Sequence, residues 1–206
     1  MTLNVVAIDG PVGSGKSTLA RALAHALGWE FLDTGAMYRA LTCESLHRGL
    51  DLDNDDVLGE LAESVQIETV PRVTIDGRDV HDELRTARTN AAVSHVAVLP
   101  RVRSAMVHQQ RAFAQRHAHG VVVEGRDITT VVFPDARLKI FLTASLDERT
   151  RRRGDEDAAS IQRRDEIDSA REISPLRQAE DAMMVDTTDR SVSEVVEEIL
   201  ACLARS

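Results

Sequence analysis

The sequence predicts an α/β fold in which a mostly parallel sheet is covered by helices. Three observations predict it. Strand-like apolar runs alternate with helical patterns along the chain. The first run, Leu3 to Ile8, ends in a glycine-rich turn that leads directly into a helix. Later runs, "GVVVEG" and "LKIFLTA", read as buried strands.

The elements follow in order. After Leu3–Ile8 comes a helix over Lys16–Leu27, with Leu19, Leu23 and Leu27 on one face and Gly28 placed to end it in the left-handed conformation. "WEFLDTG" gives a short second strand. Residues 65–85 break the alternation: "VQIETVPRVTIDGRDVHDELR" reads as short antiparallel strands, with Asp76-Gly77 as a turn pair, and so as a small insert. Pro100 opens a long helix, Arg101–Ala118. Strands are expected at Gly120–Gly125 and Leu138–Ala144. The stretch Arg149–Arg177 is dense in both charge signs and is expected to be exposed and mobile. A last helix starts at a capping box, Ser191 with Glu194, and carries Val192, Val195, Val196, Ile199, Leu200 and Leu203 on its apolar face.

At 206 residues, 43% hydrophobic and 29% charged, the chain has the make-up of one globular domain. No apolar run approaches the roughly 20 residues of a membrane helix, and the N-terminus lacks a secretory pattern, so a cytoplasmic protein is expected. Cys43 and Cys202 are the only cysteines and are read as reduced core thiols. A net charge of −9 and 3% aromatics argue against nucleic acid as a partner, because that binding neutralises many phosphates and stacks bases on rings. Lys16 and Lys139 are the only lysines among 25 basic residues, and Lys16 lies inside the glycine-rich turn.

That turn, Gly10-Pro11-Val12-Gly13-Ser14-Gly15-Lys16-Ser17, fits G-x-x-x-x-G-K-[ST] between a strand and a helix. Glycines let backbone N–H groups curl around phosphate oxygens, and the helix N-terminus adds partial positive charge. Lys16 reaches the β and γ phosphates, and the hydroxyl of Ser17, followed by Thr18, is a ligand for Mg²⁺. Three classes share such a loop. A GTPase switch needs N-K-x-D, which is absent. A motor or transport ATPase needs an apolar strand ending in Asp, whereas "VVVEG" ends in Glu124. A small phosphotransferase needs a second site rich in cations. For a phosphate acceptor no general base is required, only arginines to hold it. Arg39, Arg103 and Arg126 are candidates, Arg126 most of all because it follows a strand end.

At these residues the chain resembles the bacterial cytidylate kinases, which phosphorylate CMP and dCMP with ATP. "AIDGPVGSGKST", "FLDTGAMYRA", "LRTARTNAAVSHVAVLPRVR", "VVVEGRDITTVVFPDARLKIFLTAS", "RRDEIDSAR" and "DTTD" carry the resemblance. It implies a P-loop NTPase three-layer fold in one domain: a core (1–33, 119–148, 178–206), a lobe for the nucleoside monophosphate (34–118) bearing the antiparallel insert, and a short lid (149–177). It implies that Gly10 to Thr18 bind ATP, and that Lys16, Arg126, Arg164 and Arg171 serve catalysis. Arg39 and Arg126 would hold the CMP phosphate. Thr34, Ser94, Arg103, Asp127 and Arg171 would surround cytosine, and Arg164 and Asp168 would reach the ribose. Arg149, Arg152 and Arg153 would belong to the lid. The chemistry agrees: the cytosine amino group suits a carboxylate or hydroxyl, its N3 and O2 suit arginine, and uracil would leave buried polar groups unpaired. The expected partners are ATP and CMP or dCMP alone, on a monomer.

Simpler readings stand beside these. Asp127 could pair with a neighbouring arginine. Thr34 could be the N-cap of the helix that follows. Asp168 and Arg171 could be a surface ion pair at helical spacing. The alternatives for function are a kinase for UMP or AMP and an ATP-dependent switch or assembly factor. Three departures from the family pattern are visible. Only "GDEDAASIQ" separates Arg153 from Arg163, Ile167 stands where some relatives have arginine, and Thr34 replaces a serine.

Overall fold

The computed structural model describes residues 3–154, 157–171 and 173–205. Along the chain run β1 (Val5–Asp9), α1 (Lys16–Leu27), β2 (Glu30–Asp33), α2 (Thr34–His47), α3 (Asp55–Ser64), β3 (Ile67–Glu68), β4 (Thr74–Ile75), β5 (Arg78–Asp79), α4 (Ala87–Val96), α5 (Pro100–Arg116), β6 (Val121–Gly125), β7 (Leu138–Thr143), α6 (Leu146–Arg153), α7 (Ala158–Ala170), β8 (Met183–Asp186) and α8 (Val192–Leu203). A π-type turn, Ile128–Val132, follows β6. The chain forms two compact units, Met1–Phe31 with Ala114–Ser206, and Leu32–Phe113.

The first unit is built on a five-stranded sheet in the order β2-β6-β1-β7-β8, and β1 pairs in parallel with β6 and β7, as β7 does with β8. β1 is central and buried throughout, which is why it reads as a continuous apolar run. Its core joins Val6, Ile8, Val122, Ile140 and Leu142 of the strands to Leu19 and Leu23 of α1 and to Val195, Ile199 and Leu203 of α8. The register places Asp9 opposite Gly125 on one side and Phe141 on the other. The carboxyl ends of β1, β6 and β7 therefore finish together, where ligands bind in open parallel sheets.

Local signals explain most element ends. Gly28, at φ 64°, closes α1 as expected. The Ser191–Glu194 capping box opens α8. α5 begins at Pro100 and ends at Arg116, two residues short of expectation. β1 runs Val5–Asp9 rather than Leu3–Ile8, because the Asp9 carboxylate is fully bonded inside the fold (below) and the strand need not end before it.

The second unit holds α2, α3, α4 and the expected insert, a three-stranded antiparallel sheet β3-β4-β5. Asp76 and Gly77 both take positive φ, 48° and 79°, as a tight hairpin turn requires. The insert is tied to α2 by Glu44, which accepts from Arg78 of β5 at 2.8 Å and from Arg48 at 2.7 Å.

Two expectations are corrected. The Arg149–Arg177 stretch is not a uniformly exposed segment: it holds the end of α6 and all of α7, capped by Ser145 and Asp157, with Ile161, Asp168 and Leu176 buried. Thr34 is not an N-cap; Asp33 is, its carboxylate accepting from Ala36 N at 2.8 Å. Neither Cys43, which is buried, nor Cys202, which is half-buried, is in a disulfide. Among the described residues no helix is long and apolar enough to cross a membrane.

Leu23 is fully buried between sheet and α8. Leu23→Ala should cost about 2–5 kcal/mol of unfolding free energy through lost burial and the cavity left behind. Urea denaturation followed by circular dichroism checks it.

Candidate active site

The phosphate loop leaves β1 at Gly10. A side chain there would put its Cβ 2.3 Å from the carbonyl oxygen of Leu142, so the adjoining strand allows only glycine. The loop closes at Gly15, the N-cap of α1, whose φ of 91° is left-handed. Pro11 O accepts from Lys16 Nζ at 2.8 Å and from Ser14 Oγ at 3.0 Å, which folds the loop on itself. The hydroxyl of Ser17 donates to Glu124 Oε1 at 2.6 Å, joining the start of α1 to the end of β6.

The backbone beyond β6 is pinned by Asp9. This buried carboxylate accepts from Ile128 N at 2.9 Å, Thr129 N at 2.8 Å and Thr129 Oγ1 at 2.7 Å. Burial pushes its pKa up, and those three bonds pull against the rise. The arch so held presents Arg126 and the buried Asp127. Arg126 donates from Nη1 to Gly10 O at 3.2 Å and from Nε to Asp168 Oδ2 at 2.6 Å. Asp168 Oδ1 takes Arg171 Nη2 at 2.5 Å. Asp168 and Arg171 thus do pair, but with side chains only 9% and 10% exposed the pair is interior, and a third charged group shares it; the surface-pair reading is corrected.

Cations come close together here, among several carboxylates. Lys16 is buried, and its pKa falls to about 7, first because burial strips water from the ammonium and then because Arg126 repels it; Glu124, Asp9 and Asp168 oppose the fall. Arg164 on α7 is likewise pushed below the ordinary guanidinium range, by burial first and then by Arg153 and Arg126. Cations that repel one another beside a loop of N–H donors make a receptor for a polyanion.

The arginines of α6 are already at the loop. Arg149 Nη1 donates to Val12 O at 3.1 Å and forms an ion pair with Asp165 of α7. Arg152 donates from Nε to Glu148 at 2.7 Å, from Nη1 to Thr187 Oγ1 at 2.9 Å and from Nη2 to Thr187 O at 2.7 Å. Thr187 Oγ1 also lies 3.1 Å from both Ser14 O and Thr143 O. Arg151 points away and is 74% exposed.

The second unit orders its own expected residues. Arg39 of α2 donates to Leu84 O at 2.8 Å and to Asn90 Oδ1 at 2.6 Å. Arg103 of α5 is buried, donates to Ala97 O at 3.0 Å and lies 5.7 Å from the Tyr38 ring centroid. Thr34 is buried at the start of α2, and Ser94 is half-buried on α4. Sequence reasoning gave no role to Asp9 or Asp165 and treated Glu124 only as a weak ATPase signal. Glu124 had a readable sign, an acidic residue closing an apolar strand.

Strand, glycine loop and helix with an invading arginine cluster define the P-loop kinase class. The structure agrees in fold with the shikimate kinase of Acinetobacter baumannii, at a TM-score of 0.51 and 16% identity over 99% of this chain and 94% of that one. A sequence profile described as cytidylate kinase matches residues 6–205, and the chain belongs to that family. It is 45% identical to the cytidylate kinase of Pseudomonas aeruginosa, over 95% of this chain and 93% of the relative. It is 48% identical to that of Exiguobacterium sibiricum, over 93% and 92%.

The depressed Lys16 sets a pH dependence for nucleotide binding. Phosphates seated at the loop would favour the ammonium and raise its pKa, so ATP should bind with proton uptake above about pH 7. Affinity is full below that pH and declines as pH rises toward the bound-state pKa. Calorimetry at about pH 8, in buffers of different ionisation enthalpy, should report uptake of part of a proton. A binding enthalpy independent of buffer would show Lys16 already fully charged.

Proposed function

We infer that the protein catalyses ATP-dependent phosphorylation of CMP and dCMP, moving the γ-phosphoryl group directly from ATP to the phosphate of the acceptor. The observation that supports the chemistry is the convergence of Lys16, Arg126 and Arg164 beside the Gly10–Ser17 loop. Family membership carries the identity of the acceptor.

In this reading ATP phosphates lie against the loop N–H groups of Gly10 to Thr18. Lys16 leaves Pro11 O for the β and γ oxygens. Ser17 and Glu124 are hard oxygen donors already paired, and they would hold the Mg²⁺ that accompanies ATP. That ion supplies neutralisation of phosphate charge. A CMP phosphate oxygen, anionic already, attacks the γ-phosphorus in line, and no base is needed. Arg126, Arg164 and Arg171 stabilise charge as it spreads over the transferring oxygens.

The acceptor roles follow the family residue by residue. Arg39 and Arg126 bind the CMP phosphate. Thr34, Ser94, Arg103, Asp127 and Arg171 meet cytosine, and Arg164 and Asp168 meet the ribose. Burial of Asp127 and Arg103 supports selectivity, because a base with the wrong donors would strand them. Arg149, Arg152 and Arg153 of the lid act on the ATP side. The reading carries with it a cytoplasmic, monomeric enzyme working on small molecules.

A coupled assay of ADP formation, with CMP, dCMP, UMP and AMP offered separately, tests the assignment; CMP and dCMP should far exceed the other two. Lys16→Met should lower kcat by roughly 10²–10³-fold, the scale of losing one transition-state donor. An unchanged rate would overturn the role of the loop. Asp127→Ala should raise KM for CMP much more than KM for ATP, and an equal rise in both would make Asp127 structural.

A further inference from the structure

One peptide unit in the phosphate loop is held from two sides. Its carbonyl, Pro11 O, accepts from Lys16 Nζ at 2.8 Å. Its amide, Val12 N, donates to Asp165 Oδ1 on α7 at 3.0 Å. The other oxygen of Asp165 is ion-paired with Arg149, and Arg149 Nη1 also donates to Val12 O. Arg149 packs close: a Cβ on Gly13 would lie 2.9 Å from Arg149 O. Both polar groups of Val12 are thus bracketed by one Asp–Arg pair, with side chains 19% and 12% exposed.

Asp165 sits between two residues of the acceptor set on the same helix. Arg164 precedes it, and Asp168 lies one turn on, bonded to Arg126. α7 therefore touches the phosphate loop through Asp165 and carries acceptor groups through its neighbours. α7 is thus bonded to the Pro11–Val12 peptide, and the carbonyl of that peptide accepts from Lys16.

We propose that Asp165 is a positioning residue that couples the two substrate sites. It links the α7 arrangement that presents Arg164 and Asp168 to the phosphate-loop arrangement that receives ATP. Each nucleotide, by ordering its own part, lowers the cost of ordering the other, and the effect is reciprocal. Asp165 itself touches neither substrate. This inference rests on the acceptor assignment above.

The test is calorimetric binding of CMP with and without saturating β,γ-methylene ATP and Mg²⁺, on the full chain. The unaltered protein is measured first, and CMP should bind at least about 5-fold tighter in the presence of the analogue, the lower end of usual coupling factors. In Asp165→Ala the factor should fall to within about twofold of one, whatever the affinity for CMP alone. Asp165→Asn keeps an acceptor for Val12 N but loses the pair with Arg149, and should lie between the two. A merely structural role would weaken all binding in parallel and leave the ratio intact. Failure of the unaltered protein to bind CMP would overturn the acceptor assignment, and the inference with it. CMP binding with a factor near one, or a factor unchanged in Asp165→Ala, would overturn the role of Asp165 alone.

Discussion

The three hydrogen bonds received by Asp9 are the constraint on which this site depends. Asp9 ends the central strand, and the phosphate loop begins at the next residue. Its carboxylate holds Ile128 N, Thr129 N and Thr129 Oγ1, so the turn after β6 is fixed to the turn after β1. The two segments that bring Lys16 and Arg126 are thereby locked in mutual register. A buried carboxylate is costly unless its lone pairs are filled, and three bonded donors fill them. What offsets that cost is geometry: Arg126 is left bonded to Gly10 O, at the mouth of the loop.

Charge then decides what the site can take. Asp168 serves both Arg126 and Arg171, and Asp165 serves Arg149, so two carboxylates place three guanidinium groups. This pairing fixes where each guanidinium group points. The lowered pKa of Lys16 comes first from burial and then from repulsion by Arg126, against the pull of Glu124, Asp9 and Asp168.

The sequence made legible what is set by local chemistry. α1 was readable to its last residue because Gly15 and Gly28 impose their own conformations, and the insert because Asp76-Gly77 imposes a turn. β8 was not read as a strand. It is an edge strand of four residues with Met184 exposed, and the apolar run Ala182–Val185 is too short to tell a strand from a helix or a loop. α7 was hidden by its charge: only Ile161 and Asp168 are buried on it, and the second is held by arginines rather than by apolar packing. Asp9 and Asp165 were illegible for another reason. The backbone amides they hold lie more than a hundred residues away, and a carboxylate bonded to remote amides leaves no spacing to read.

The short segment between Arg153 and Arg163, expected to be a lid, is one departure from the family pattern, and the arginines that precede it have anchors of their own. α6 begins at Leu146, just after β7 ends at Thr143, so the sheet sets its position. Arg149 and Arg152 are three apart and share one helix face, whereas Arg151 lies on the other. Arg149 is bonded to Val12, and Arg152 to Thr187, whose hydroxyl meets the phosphate loop at Ser14 O. Both arginines are therefore rooted in the core before the chain reaches Gly154. The bonds of Arg149 to Val12 and of Arg152 to Thr187 therefore do not depend on the length of the segment beyond Arg153.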